Sequence, residues 1–390
     1  MRRCLAGLLA LAAASSLPGC AWLGGASAEQ AALVGKVERA LAVLRERLDL
    51  PPDALASEVH RTLPPVDAAF SPERRQVLFD FEVVWLSVHQ LIGFGSDRAR
   101  IEAALSRLAF DAKGPYFPAG IEGHAGQVTA ELSRLGIDPR ERFAVGDRHV
   151  TPADLVQSAR DRFDQESVAE DPSWLIEATV YGRDPTQGWV SGRGTPTWVH
   201  GYILARLRRL HETNDLNAAG LAEGGLHFAE SVGRLVPRLA EHPDFAQDGS
   251  TREAVDVYLR FLEWYQHQVL EPWLEEAVRH LLPSLEAYHA APGSATAQPW
   301  LRRLRDAGHI LEIVEDPKSW FHGRVSPVEL HAAVETLADV ALRWYAPELG
   351  ASRAALDRIP DAEGRPLTFL CMGQWMHAHH GLALWLEQAR

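Results

Sequence analysis

Two short segments, far apart in the chain, hold the residues best suited to chemistry. The first is Asp306-Ala307-Gly308-His309-Ile310-Leu311-Glu312-Ile313-Val314. On an α-helix His309, Glu312 and Asp316 fall on one side, while Ala307, Leu311 and Val314 take the other. An imidazole three residues from a carboxylate suits proton transfer, because imidazole titrates near neutrality and a carboxylate can orient it. The same two residues also suit a solvated or hydrogen-bonded pair on a helix face. The second segment is Gly373 to Leu384, with His377, His379 and His380. His377 and His380 are three apart and share a face with Gly373 and Leu384. His379 falls with Trp375, Leu382 and Leu386 and reads as a packed core histidine. A His-x-x-His pair can chelate a metal, but two nitrogens need further ligands and no carboxylate adjoins them. General acid/base work by His377 or His380 is therefore the expectation, with no metal or other cofactor.

Two further carboxylates sit inside apolar runs. Glu82 lies in Phe79-Asp80-Phe81-Glu82-Val83-Val84-Trp85-Leu86, with His89 seven residues on and on the same face. Glu177 lies in Trp174-Leu175-Ile176-Glu177-Ala178-Thr179-Val180-Tyr181. A carboxylate so placed must be paired, protonated or turned to a wet cavity. Facing a cavity with a raised pKa it makes a general acid, and a glycosidase sets two such groups across a sugar bond. A buried hydrogen-bond partner at a helix junction fits the same pattern. Twelve tryptophans, among them Trp189, Trp300 and Trp320 beside Gly, Pro or polar residues, add indoles of the kind that stack on sugar faces, though most Trp in a helical domain is core. Cys371, between Leu370 and Met372, reads as a small buried hydrophobe.

The elements that must position these groups are almost all helices. Glu29 to Leu48 carries Leu33, Val37, Leu41 and Leu44 on one stripe. Pro51-Pro52 ends it, and Pro64-Pro65 marks a second break. Ser71-Pro72-Glu73, Thr151-Pro152-Ala153-Asp154 and Ser326-Pro327-Val328-Glu329 each join a capping residue to Pro at the first helical position. Thr195 to His211 and Gly373 to Gln388 keep helical spacing, and Ser250 to Tyr288 is a long helical tract broken or kinked around Pro272. Strand alternation is almost absent. Gly recurs beside or near His at Gly123-His124, His200-Gly201, Gly225-Leu226-His227, Gly308-His309 and His380-Gly381. Gly lets helices crowd, and a nearby His then projects from a crowded helix end. An all-α fold follows, with an α/α toroid of helical hairpins as the expected architecture. An irregular helical bundle or a solenoid is the alternative.

Gly-His-x-x-Glu in an all-helical chain resembles a segment of the N-acylglucosamine 2-epimerase group of α/α toroids. The resemblance covers about ten residues, with Ala307 where that group has Pro and Ile313 where Trp is common. It implies that His309 transfers a proton, that Glu312 supports it, and that a second histidine comes from near the C-terminus, where this chain offers His377, His379 and His380. The same segment, with Gly373 to Leu384, also looks like uncharacterised secreted bacterial toroid proteins.

The N-terminus gives an address. Arg2 and Arg3 precede a short apolar core from Leu5 to Ala14, too short to span a bilayer, and then Leu17-Pro18-Gly19-Cys20. This resembles a bacterial lipobox, in which residues 1–19 are removed and Cys20 is lipidated. The acyl chains then anchor the protein to a membrane. An ordinary signal cut after Ala28, in Ala26-Ser27-Ala28, is the alternative. Ala21 follows the cysteine with no Asp there, which favours the outer membrane. Residues 20–65 would form a tether and N-terminal helix, and 66–390 the helical domain. No other stretch reads as a membrane span. Losing Arg2 and Arg3 with the signal takes the net charge from −13 to −15, which argues against nucleic acid as a partner. Two functions follow: acid/base chemistry on a saccharide in a central funnel, using His309, Glu312, His377 or His380, and Glu82 or Glu177. The other is a non-enzymatic lipoprotein binding a protein or glycan.

Overall fold

Helices account for nearly all regular structure in a computed structural model of the chain, which describes residues 28–62, 72–118, 125–162, 195–221, 225–241, 249–361 and 364–390. Cys20, Glu177, Trp189, Ser71 and His124 lie outside these residues. The all-α expectation holds, with a small exception. Helices α1 (Ala28–Leu48) and α2 (Pro52–Thr62) follow one another across Pro51. Leu33, Val37 and Leu44 of the predicted stripe are buried in α1. The long α3 (Pro72–Phe94) leads into α4 (Arg98–Leu105), whose first turn is capped by the Asp97 carboxylate accepting from the Arg100 N–H at 2.8 Å.

Two hairpins then interrupt the helices, β1 (Ala109–Asp111) with β2 (Gly114–Tyr116), and β3 (Phe143–Val145) with β4 (Arg148–Val150), flanking α5 (Ala125–Arg134). Each strand is three residues long, too short for alternation to register in sequence. The second hairpin turns on Gly146-Asp147, with Gly146 at φ +61°. Helix α6 (Pro152–Arg162) opens on the expected capping box: the Asp154 carboxylate accepts from the Thr151 N–H at 2.9 Å, and Thr151 Oγ1 accepts from the Asp154 N–H at 3.1 Å.

Helices α7 (Thr195–Thr213), α8 (Leu226–Glu241) and α9 (Gly249–Tyr265) follow. The break expected near Pro272 is a π-helical turn, Gln266–Leu270, which joins α9 to α10 (Glu271–Ala290). Pro272 has no N–H to give the preceding turn, and the wider turn absorbs that loss. The chain ends with α11 (Ser294–Glu315), α12 (Pro327–Trp344), the short α13 (Gly350–Leu356) and α14 (Leu367–Ala389).

Three apolar clusters hold these helices together. The largest joins α1, α2, α10, α12 and α14 to one face of α3 and one face of α11. A second gathers α7, α8, α9 and the opposite face of α11, through Ile310, Ile313 and Val314. A third packs Val84, Val88, Leu91 and Ile92 of α3 against α4, α5 and the hairpins. Helices α3 and α11 thus serve two clusters each, and the polar residues on them fall in the seam between. By length and composition α3 is apolar enough to cross a membrane, contrary to the expectation that no further stretch is, but every residue from Phe81 to Phe94 is buried within the fold.

Candidate functional site

The seam holds four of the expected site residues. Helices α11 and α14 cross so closely that a Cβ on Gly381 would lie 2.9 Å from the backbone nitrogen of Glu312 and 3.0 Å from Leu311 Cβ. Gly308 faces the backbone of α14 in the same way. Helices α14 and α3 meet as tightly, where a Cβ on Gly373 would lie 2.9 Å from His89 Cδ2. The predicted role of Gly, letting helices crowd, holds at Gly308 and Gly381. It does not hold at Gly201, where nothing lies within 4 Å of an added Cβ, and Gly123 lies outside the described residues. Gly308-His309 and His380-Gly381 lie inside long helices, however, and not at helix starts. Their partners across the crossing are the reason.

At this crossing the Glu312 carboxylate accepts two imidazole hydrogen bonds, from His377 Nδ1 at 2.7 Å and from His380 Nδ1 at 2.9 Å. His309 lies over His377, ring centroids 3.7 Å apart and 36° between planes. His89 of α3 meets His377 edge-on at 5.1 Å, and His227 of α8 meets His309 at 5.3 Å. His309, Glu312 and His377 are buried, with 2%, 1% and 3% exposure, while His380 is partly open. His309 Nδ1 is buried and has no hydrogen-bond partner among the described residues.

The electrostatics divide the cluster into charged and neutral members. Burial alone would raise the Glu312 carboxyl, but His377 and His380 outweigh it and hold the group well below the usual carboxylate range. For His380 burial opposes the charge, but the hydrogen bond to Glu312 and the charges of Glu312 and Glu131 together outweigh it, so its pKa is raised. Burial, then the nearby His377 and His227, push His309 far down. Burial and His377 likewise bring His89 to about 3, against the raising effect of its 2.7 Å bond to the Trp85 carbonyl. The centre is thus an ionised carboxylate with neutral His309 and His89 beside it.

A buried charge network flanks the cluster. Arg134 of α5 bridges Glu131 at 2.5 Å and Glu230 at 3.0 Å, and Arg234 of α8 bridges Glu230 at 2.6 Å and Asp316 at 2.5 Å. Asp316, expected beside Glu312, instead caps the end of α11 and turns to Arg234. The i, i+3 pair Glu131/Arg134 and the i, i+4 pair Glu230/Arg234 were readable as helix pairs, but nothing in sequence joins them.

The other expected residues separate from this centre. Glu82, two turns before His89 on α3, hydrogen-bonds His60 of α2 in a second dyad, and burial raises its carboxyl. His379 packs edge-on against Phe94 at 4.7 Å, the core role expected of it. Trp300 is core, stacked on Tyr288 with 10° between the rings, so it offers no sugar platform. Trp320 lies under the Arg324 guanidinium, 3.9 Å from its ring centroid. Sequence reading placed His89 with Glu82 and His227 only in the Gly-His recurrence; neither was seen as a wall of the site.

One expectation is corrected outright. His377 and His380 have no carboxylate near them in sequence, but Glu312 reaches them from α11. His309, Glu312 and His377 each offer one ligand atom, and the three atoms lie within 4.8 Å of one another. Comparison with protein-family models, with curated proteins and with solved structures finds no match to this chain.

Proposed function

We propose that the chain is a lipid-anchored cell-envelope protein whose helical body performs acid/base chemistry on a saccharide at the Glu312 centre. The observation that carries this reading is the Glu312 carboxylate held between His377 and His380, with neutral His309 against His377. Accepting from Nδ1 of each, Glu312 fixes the tautomer and orientation of both rings. His309, uncharged, is then the group that takes a proton. His309 and Glu312 are the pair that the epimerase-like segment singles out, and His377 or His380 would supply its second histidine. A ring of helical hairpins around this centre, the α/α toroid, is part of the same proposal; an experimental structure showing an open stack of helices would refute it.

The test is to incubate the full chain with envelope polysaccharide and its oligosaccharide fragments and follow new reducing ends or epimerised sugars. His309→Gln should lower the rate by about 10²-fold or more with an unchanged melting temperature. A rate that survives this substitution sinks the reading. The burial of His309, Glu312 and His377 favours a second reading, in which the centre locks α11 to α14 in a non-enzymatic lipoprotein that binds a protein or glycan. That reading predicts loss of stability in the same variant and no sugar turnover in either form.

A further inference from the structure

We propose that His309, Glu312 and His377 bind a divalent first-row transition ion, with His380 holding the Glu312 carboxylate in place. This does not depend on the saccharide reading and replaces one part of it, since an ion on His309 occupies the lone pair that would otherwise take a proton. The three ligand atoms already lie within 4.8 Å of one another. A tetrahedral ion with bonds of about 2.1 Å spaces its ligand atoms by about 3.4 Å. Any pair near that limit needs to draw in by roughly an ångström. Glu312 and His377 Nδ1, 2.7 Å apart at their hydrogen bond, need instead to part slightly to admit the ion. Both movements are within the reach of side-chain rotation at fixed backbone.

The donor set selects the class of ion. Two imidazoles and one carboxylate suit zinc or ferrous iron, each of which uses two histidines and one carboxylate with positions left open. Calcium and magnesium prefer oxygen alone. A second observation points to a ligand: His309 Nδ1 is fully enclosed and unpartnered. His200 shows the contrast, its two nitrogens meeting Tyr258 Oη at 2.6 Å and Thr251 Oγ1 at 2.9 Å. Helix packing supplies rigidity, because two ligands lie on α11, the third on α14, and the Gly308 and Gly381 contacts fix the two backbones against each other. His380 Nδ1–H to Glu312 at 2.9 Å is the kind of outer contact that orients a metal-bound carboxylate.

The experiment uses the full-length, untagged chain, stripped with chelator and titrated separately with Zn²⁺ and, without oxygen, Fe²⁺. Co²⁺ serves as a visible stand-in. The expected result is one ion per chain and a rise in melting temperature on rebinding. His309→Ala and Glu312→Gln should each abolish binding, and His380→Ala should weaken it roughly 10- to 100-fold. His267→Ala, in the exposed pair with Glu271, should leave it unchanged. The Zn²⁺ and Fe²⁺ arms distinguish the two ions by which binds more tightly. Native protein that takes up no stoichiometric ion overturns the proposal, whether or not the variants fold. Binding that survives His309→Ala, or is lost in His267→Ala, overturns it as well. Since no saccharide enters the assay, its failure leaves the sugar reading standing.

Discussion

Removing the Glu312 carboxylate would leave the Nδ1–H groups of His377 and His380 without their acceptor, one of them deeply buried. Glu312→Ala should therefore cost about 3 kcal/mol in urea unfolding, and Glu312→Gln less, since its amide oxygen still accepts one bond. Glu315, three residues on, gives a prediction with a defined pH window. Burial raises its carboxyl from 4.5 to about 7 in the fold, while Gln388 donates to it at 2.7 Å. The folded state then holds this proton more tightly than the unfolded chain. Stability is highest below about 4.5 and falls as pH rises through 7. Glu315→Gln should stabilise the protein at pH 8 by at most about 3 kcal/mol, with the gain gone near pH 4. A gain that persists at pH 4 would refute the linkage. At this scale the sequence revealed His309, Glu312, His377 and His380 by type and spacing. It could not reveal that Glu312 completes the histidine pair, because the contact spans 65 positions and depends on a helix crossing.

Several helices were legible from caps and periodicity, as α1, α6 and α14 show. What escaped was which faces meet. Residues of α11 on both sides are buried, so its apolar pattern gives no single inward direction. The hairpins escaped for a different reason, brevity. The crossing of α11 and α14 makes its own prediction. Gly381→Ala drives a methyl group against the Glu312 backbone, and should cost about 1–3 kcal/mol while disturbing the position of the carboxylate. Gly201→Ala, in the exposed part of α7 with nothing within 4 Å of the added carbon, should be neutral or stabilise by about 0.5–1 kcal/mol. Equal effects at the two positions, measured by thermal unfolding, would mean the close crossing does not constrain the helices.

The described residues form three apolar clusters fastened along α3 and α11, with the polar centre in the seam. Helices α1 and α2 contribute to the largest cluster alongside α14, so the first described helix is bound into the same core as the last. If Cys20 carries lipid, the tether between anchor and body is short, since α1 begins at Ala28. Cys20→Ser should move the protein from the membrane fraction to the soluble fraction and abolish incorporation of labelled palmitate. A variant that stays membrane-bound and labelled would refute lipidation there. Helical periodicity was legible because it is a local pattern. The clusters were not, because each is assembled from helices distant in sequence.

The π turn at Gln266–Leu270 bears on how this chain tolerates insertions and deletions. Its bond from the Glu271 N–H to the Gln266 carbonyl spans five residues, one more than an α-helix allows. Removing one residue there would let α9 and α10 run on as one regular helix with their faces nearly unchanged, because five residues of π turn advance about as far around the axis as four of α-helix. The stripe of Ala277, Leu281, Leu285 and Tyr288 would then stay in the core it now fills. A one-residue deletion in this turn should therefore be far milder than one inside α10, which would swing the rest of that helix by about 100°.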